Sequence, residues 1–294
     1  MNTNINSFNN YNSGNNPQAS PGDRMKAMWA SIPIFVKIVI SLTVILYILS
    51  WPFENFINLF INMPFYTILR FNIWRVVTSV FVTLNLLNII FAFISWIPDA
   101  IRLENTIGTV KYALNFMINA TLINIFFIAF MFVLAALFGK GAIMVKSAGL
   151  WPLIMAEITL LCLANPDNPV ALFFLPCQFP AKYYPWALLA FFTIINPQSF
   201  QFDILCGILY GYLYFYYLRN YLTLSNDTAN NWEQKFIFRY LKKFNGFVTL
   251  AQTGASSGFT VTAPQQNNIR IEQPKQQPVS TPFKGKGTVV GKYH

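Results

Sequence analysis

The run YALNFMINATLINIFFIAFMFVLAALF, Tyr112–Phe138, carries no charged side chain in 27 residues. A helix needs about 20 apolar residues to cross the ~30 Å hydrocarbon of a bilayer, so this run alone asks for lipid as its solvent. Outward from it lie five further apolar runs: Ile32–Ser50, Val76–Ile97, roughly Ala148–Ala164, Trp186–Asn196 and Phe202–Leu222. The run Trp186–Asn196 is short, bracketed by Pro185 and Pro197. Of all 294 residues, 55% are hydrophobic and only 10% charged. A soluble domain is about 25% charged, so a water-soluble globule is excluded. The expected fold is an all-α polytopic membrane protein with a six-transmembrane-helix core.

The charge has a location. The first 218 residues hold ten basic and seven acidic side chains, the last 76 ten basic and three acidic. With a cytosolic N-terminus, Arg24, Lys26, Arg102, Lys111, Lys182 and the basic tail all face the cytosol. Only Arg70, Arg75, Lys140 and Lys146 face the other way. Positive residues favour the cytosolic side, so both termini are expected there, next to anionic membrane lipid. No nucleic-acid motif accompanies the charge, and no nucleic-acid partner is expected.

Histidine occurs once, at His294. That removes a Ser-His dyad, a His-ligated catalytic zinc and a His shuttle within the fold. No cofactor and no metal are expected. Cys162, Cys177 and Cys206 have no pair-like spacing and read as small core residues.

Four segments follow. Residues 1–31, with eight Asn in the first 16, read as a disordered cytosolic N-terminus. No cleavable signal is expected there, since the first apolar run begins too late. Residues 32–222 form the six-span membrane domain. Within 223–247, NWEQKFIFRYLKKF (Asn231–Phe244) places Trp232, Phe236, Ile237, Tyr240, Leu241 and Phe244 on one helical face. Lys235, Arg239, Lys242 and Lys243 fall on the other. The pattern predicts an amphipathic helix on the cytosolic leaflet, or one packed on a partner. Residues 248–294 read as a disordered tail.

Several short motifs occur in order. Trp74-Arg75 opens the second run. Glu104, then Gly108-Thr109, precede the third. Gly207 and Gly211 lie four apart in the sixth, where small residues let helices approach closely. In this order, within six spans, they resemble the rhomboid fold. That resemblance places Trp74-Arg75 in the first loop and packs the two glycines on the fourth span. Gln178-Phe179-Pro180-Ala181, Tyr184-Pro185-Trp186 and the aromatic run after Gly211 resemble the derlin branch. One departure is visible: derlins usually carry histidine after the second glycine, and here Tyr212 stands there.

What the resemblance implies is a pseudoprotease. Active rhomboids hold a Gly-x-Ser-Gly serine at the start of the fourth span and a histidine before the first glycine of the sixth. Trp151 and Ile204 occupy those places, and Ser147 nearby has no base. No catalytic residue is therefore expected. The tail sequence Phe283-Lys284-Gly285-Lys286-Gly287-Thr288-Val289-Val290-Gly291 resembles the SHP box, through which several derlins recruit the valosin-containing AAA ATPase. Phe283 would fill a pocket, and Gly285, Gly287 and Gly291, with Val290, would let extended backbone lie close to the partner.

By resemblance the chain is expected in the endoplasmic reticulum membrane. It would assist ER-associated degradation and the unfolded protein response by retrotranslocating misfolded clients beside a membrane-bound ubiquitin ligase complex. Homo-oligomerisation is left open. A rhomboid-like scaffold tethering ubiquitin machinery and a transporter are the other classes; no inverted repeat or cluster of intramembrane charges favours the latter.

Two acids sit within the apolar runs. Glu157 is expected either to wall a polar client path or to fix packing as a hydrogen-bonded carboxyl. Asp203, at the start of the sixth run, suits either that path or the helix N-terminus.

Overall fold

The computed structural model describes residues 20–83, 85–171, 178–195, 200–222, 225–235, 240–242 and 246–249. Helix α1 (Pro21–Ser31) turns by 117° into α2 (Ile34–Ser50). A long irregular segment follows, carrying α3 (Glu54–Ile57), a π turn over Phe65–Leu69, α4 (Arg75–Thr78) and a 3-10 turn over Ser79–Phe81. Helices α5 (Leu86–Ile107) and α6 (Thr109–Phe138) are joined by Gly108 alone. Gly108 has φ 87°, a conformation costly for any residue with a Cβ, and it ends α5 and opens α6 in one step. Next come α7 (Trp151–Ala164), the antiparallel pair β1 (Pro169–Ala171) and β2 (Gln178–Pro180), and α8 (Tyr184–Ile195). Val170 pairs with Phe179 at the centre of this two-stranded ribbon. Helix α9 (Phe202–Leu213) continues through a π turn, Tyr214–Leu218, into α10 (Arg219–Leu222), and α11 (Asn226–Glu233) follows.

Among the described residues, two helices, α5 and α6, are long and apolar enough to cross a membrane, and the bent α1–α2 pair meets the same measure together. Large apolar side chains lie on the outside: Ile45, Ile94, Ile125 and Val133 are each at least half exposed. In water such surface is unfavourable; in hydrocarbon it is the solvated face.

The interior is one large cluster with two smaller ones beside it. Trp96, Tyr112, Phe116, Trp151, Met155, Ile208 and Tyr210 belong to the large one. Phe116 stands edge-on to Phe35 at 5.3 Å and tilted against Trp96 at 5.7 Å, which joins α2, α5 and α6. Cys162 and Cys206 are buried free thiols, as small core residues should be; Cys177 lies outside the described residues.

The structure redraws three segments. The run Val76–Ile97 is not one helix. Nearly half of it, before Leu86, is the short α4, a 3-10 turn and a connecting stretch, and Val76, Val80 and Val82 are buried. Its apolarity reflects that burial rather than a membrane crossing, and the helix starts at Leu86 and runs on through polar residues to Ile107. Residues 21–31 are helical, although 1–31 reads as disordered. Ser20 accepts the Asp23 N–H, Pro21 opens the helix and Asp23 suits its positive end. Of the amphipathic helix expected over Asn231–Phe244, residues 236–239, 243 and 244 lie outside the described residues. Ser225 caps a helix that starts at Asn226, and it ends at Glu233. Ala229 is fully buried, and α11 packs on α6 rather than presenting only a lipid face.

Candidate functional site

Four constellations stand out, and the first three draw on a motif. The first fixes the irregular segment between α2 and α5. Trp74 donates its indole N–H to the Leu59 carbonyl at 3.1 Å, and Arg75 donates to the Ile61 carbonyl at 2.9 Å. Arg75 is almost wholly buried and lies 5.1 Å over the Tyr66 ring. Two adjacent side chains thus hold alternate carbonyls of one loop, a firmer role than interfacial anchoring. Below them lies a polar network that sequence reading missed. Asn62 donates to the Asn124 side-chain oxygen at 2.8 Å, which also accepts from Ser79 at 3.2 Å. Thr67 donates to the Asn62 side-chain oxygen at 2.9 Å. All four residues are buried, and each polar group meets another, which keeps burial affordable.

The second constellation is Glu104, fully buried in α5. Its two oxygens accept the Phe35 and Val36 N–H groups at 3.0 Å, and Thr109 donates to it at 2.7 Å. Helix α2 has no side-chain cap of its own after Pro33. Glu104 supplies that cap from another helix, a carboxylate at a positive helix end.

The third is the contact of α7 with α9. A Cβ on Gly207 would fall inside the Pro152 backbone, and one on Gly211 would come within 2.8 Å of Thr159 and 3.0 Å of the Ala156 carbonyl. The glycines therefore set the distance between the helices. Trp151 opens α7 and Ile204 sits in the first turn of α9, both buried. Ser147 is also buried, and its backbone pairs with that of Asn62.

The fourth is a cavity of about 470 Å³ between α5 and α8, floored by α7. Phe91 and Leu87 of α5, Leu188, Phe191, Phe192 and Ile195 of α8, and Trp151 and Ile158 of α7 make its apolar wall. Asn85, Asn88, Ser95 and Gln201 supply hydrogen-bonding groups. Trp151 packs edge-on against Phe192 at 4.4 Å, and its buried indole N–H meets no acceptor among the described residues. An apolar slot with a few amides suits an apolar segment that still carries backbone polar groups.

The remaining motif residues fall around these. Pro185 is buried in the first turn of α8, and Trp186 donates to the Tyr212 hydroxyl at 3.2 Å. Asp203, in the first turn of α9, accepts the Ile204 N–H at 2.9 Å and does not line the cavity. Nor does Glu157. One residue from Ile158 on a helix is a 100° turn, and Glu157 instead lines a small internal space of about 20 Å³ with Tyr112, Asn119 and Tyr210. Phe283, Gly285, Gly287, Val290 and Gly291 lie outside the described residues, as does His294.

Apolar helices of membrane-crossing length around a buried aromatic core define an integral membrane protein. A Rhomboid domain profile matches residues 70–221, just over half of the sequence, and the chain belongs to the rhomboid family. It is also similar to Rhomboid-like protein 15 of Arabidopsis thaliana, 25% identical over 240 residues, which covers 76% of this chain. The chain spans 57% of that relative's length.

Proposed function

We propose that this protein is a catalytically inactive, derlin-type rhomboid of the endoplasmic reticulum membrane. It has six spans and cytosolic termini, and it helps misfolded clients leave that membrane for degradation. What supports the reading is the α7–α9 contact. Gly207 and Gly211 pack on α7 as the resemblance expects, and the same resemblance aligns the buried Trp151 and Ile204 with the places of a nucleophile and its base. Acyl transfer by a serine needs a positioned base, and neither residue can accept a proton.

The cavity between α5 and α8 gives this inactive frame a use. A client segment enters laterally, its side chains against Phe91 and Phe191 and its exposed backbone polar groups against the amides of Asn88 and Gln201. Helix α8 has 12 residues, or about 18 Å, against ~30 Å of hydrocarbon. The mismatch thins the bilayer beside the cavity and lowers the cost of moving polar segments. The 283–291 segment then recruits the valosin-containing AAA ATPase, which supplies the pull, beside a membrane-bound ubiquitin ligase complex.

The test is turnover of a model misfolded membrane client in cells lacking this chain. Wild-type protein restores turnover. A Phe283→Ala/Gly285→Ala variant is made at normal levels, fails to co-purify the ATPase and leaves client half-life several-fold longer. Turnover that is unaffected by loss of the chain overturns the reading.

A further inference from the structure

Residues 246–248 return from beyond the last core helix to the ends of two others. The Ile34 N–H donates to the Gly246 carbonyl at 3.0 Å, and the Thr109 N–H to the Val248 carbonyl at 2.9 Å. The Val248 N–H donates to the Thr109 hydroxyl at 3.0 Å, and that hydroxyl donates to Glu104. Ile34 and Thr109 are the first residues of α2 and α6, whose N–H groups have no partner within their own helices. The Gly246 and Val248 carbonyls supply the missing acceptors. Gly246 has φ 98°, and a Cβ there would come within 3.1 Å of the Ile32 carbonyl, so the approach requires glycine. A second attachment lies nearby: the nearly buried Glu233 of α11 pairs with Lys242 at 3.0 Å.

We propose that residues 246–248 are a load-bearing latch, which fastens the root of the cytosolic tail to the junction of α2, α5 and α6. Force or binding applied to the tail reaches the core at Glu104 before it reaches α9 or α10. Because three hydrogen bonds and one glycine make the contact, the latch opens without unfolding the helices it joins. Opening it uncovers the first N–H groups of α2 and α6. The inference stands apart from the ATPase reading, since it concerns the root of the tail and needs no partner.

Two measurements on the purified full chain in phosphatidylcholine nanodiscs test it. Amide exchange at Ile34 and Thr109 is slow in the wild type, and at least tenfold faster in Gly246→Val and in Val248→Pro, with exchange in α7 and α9 unchanged. Pulling single molecules from the C-terminus gives a low-force rupture before core unfolding, and both variants lose that rupture while keeping the core events. Equal exchange at Ile34 and Thr109 in all three proteins, or no early rupture in the wild type, overturns the latch. A variant that loses the latch yet still binds the ATPase supports both proposals; one that keeps the latch while the chain binds no ATPase refutes only the earlier reading.

Discussion

Trp186 donates its indole N–H to the hydroxyl of Tyr212 at 3.2 Å, and the two rings lie 6.2 Å apart. This side-chain tether joins the start of α8 to α9. Tyr212 is also where the chain departs from the derlin pattern, so the departure has a structural use: a hydroxyl reaches the motif tryptophan. Tyr212→Phe keeps the ring and removes the acceptor. One such bond contributes about 1 kcal/mol. The expected result is a small loss of thermal stability in detergent and faster amide exchange confined to the first turns of α8. Uniform exchange changes across the core would contradict the tether.

Glu104 joins three donors on two segments, which makes its substitutions unequal. Glu104→Ala leaves the Phe35 and Val36 N–H groups and the Thr109 hydroxyl without their acceptor. A buried unpaired donor costs about 1–3 kcal/mol, so the sum is comparable to the whole stability of a domain. Glu104→Gln retains one oxygen and only part of the network. Expression and thermal unfolding should fall steeply for Ala and partly for Gln; equal effects would mean that the cap on α2 is not what Glu104 contributes.

The α7–α9 contact should tolerate no added methyl groups. Gly207→Ala places a Cβ in the Pro152 backbone, and Gly211→Val drives against Ala156 and Thr159. Overpacking of this kind costs about 1–3 kcal/mol or more, since backbone cannot step aside as a side chain can. A lowered unfolding temperature for both is expected. Gly141→Ala, where a Cβ meets nothing, serves as the neutral control.

Much of this architecture is legible in the chain. Apolar runs locate α2, α6, α7, α8 and α9, and the glycine pair of α9 points to its partner helix. The run Val76–Ile97 misleads because hydropathy reports exclusion from water and cannot tell a buried loop from a membrane crossing. Helix α11 shows a related failure: the amphipathic period begins at Asn231, but the Ser225 cap starts the helix five residues earlier, at Asn226. The Asn62–Asn124 network joins residues 62 apart, and nothing local marks either as a partner. Glu157 is informative in the other direction. Its depth was readable, but the face it presents depends on which helices flank α7, and only the packing decides that.

Filling the cavity separates its use from its support of the fold. Ser95 lines the cavity from α5, and Ser95→Phe adds a ring to space that is already open. Core stability should therefore stay near that of the wild type, while client turnover slows several-fold. Measuring unfolding temperature and client half-life on the same variant distinguishes an occluded slot from a damaged core. Wild-type turnover with a filled cavity would remove the cavity from the client path.

The length of α8 carries the thinning argument and can be changed directly. Seven leucines inserted after Ile194 add two helical turns, or about 10 Å, and keep the helical faces nearly in phase. That brings α8 close to the ~30 Å hydrocarbon span. Leucine is a strong helix former and lipid-compatible, so the added turns need no new partners. If local thinning lowers the barrier for polar client segments, the lengthened chain should fold, retain the ATPase and leave client half-life as long as in cells lacking the protein. A seven-leucine insertion after Phe138, where α6 already exceeds the bilayer at 30 residues, is the matched control and should leave turnover intact. Normal turnover with the long α8 would show that clients cross by the cavity alone, without help from a thinned membrane.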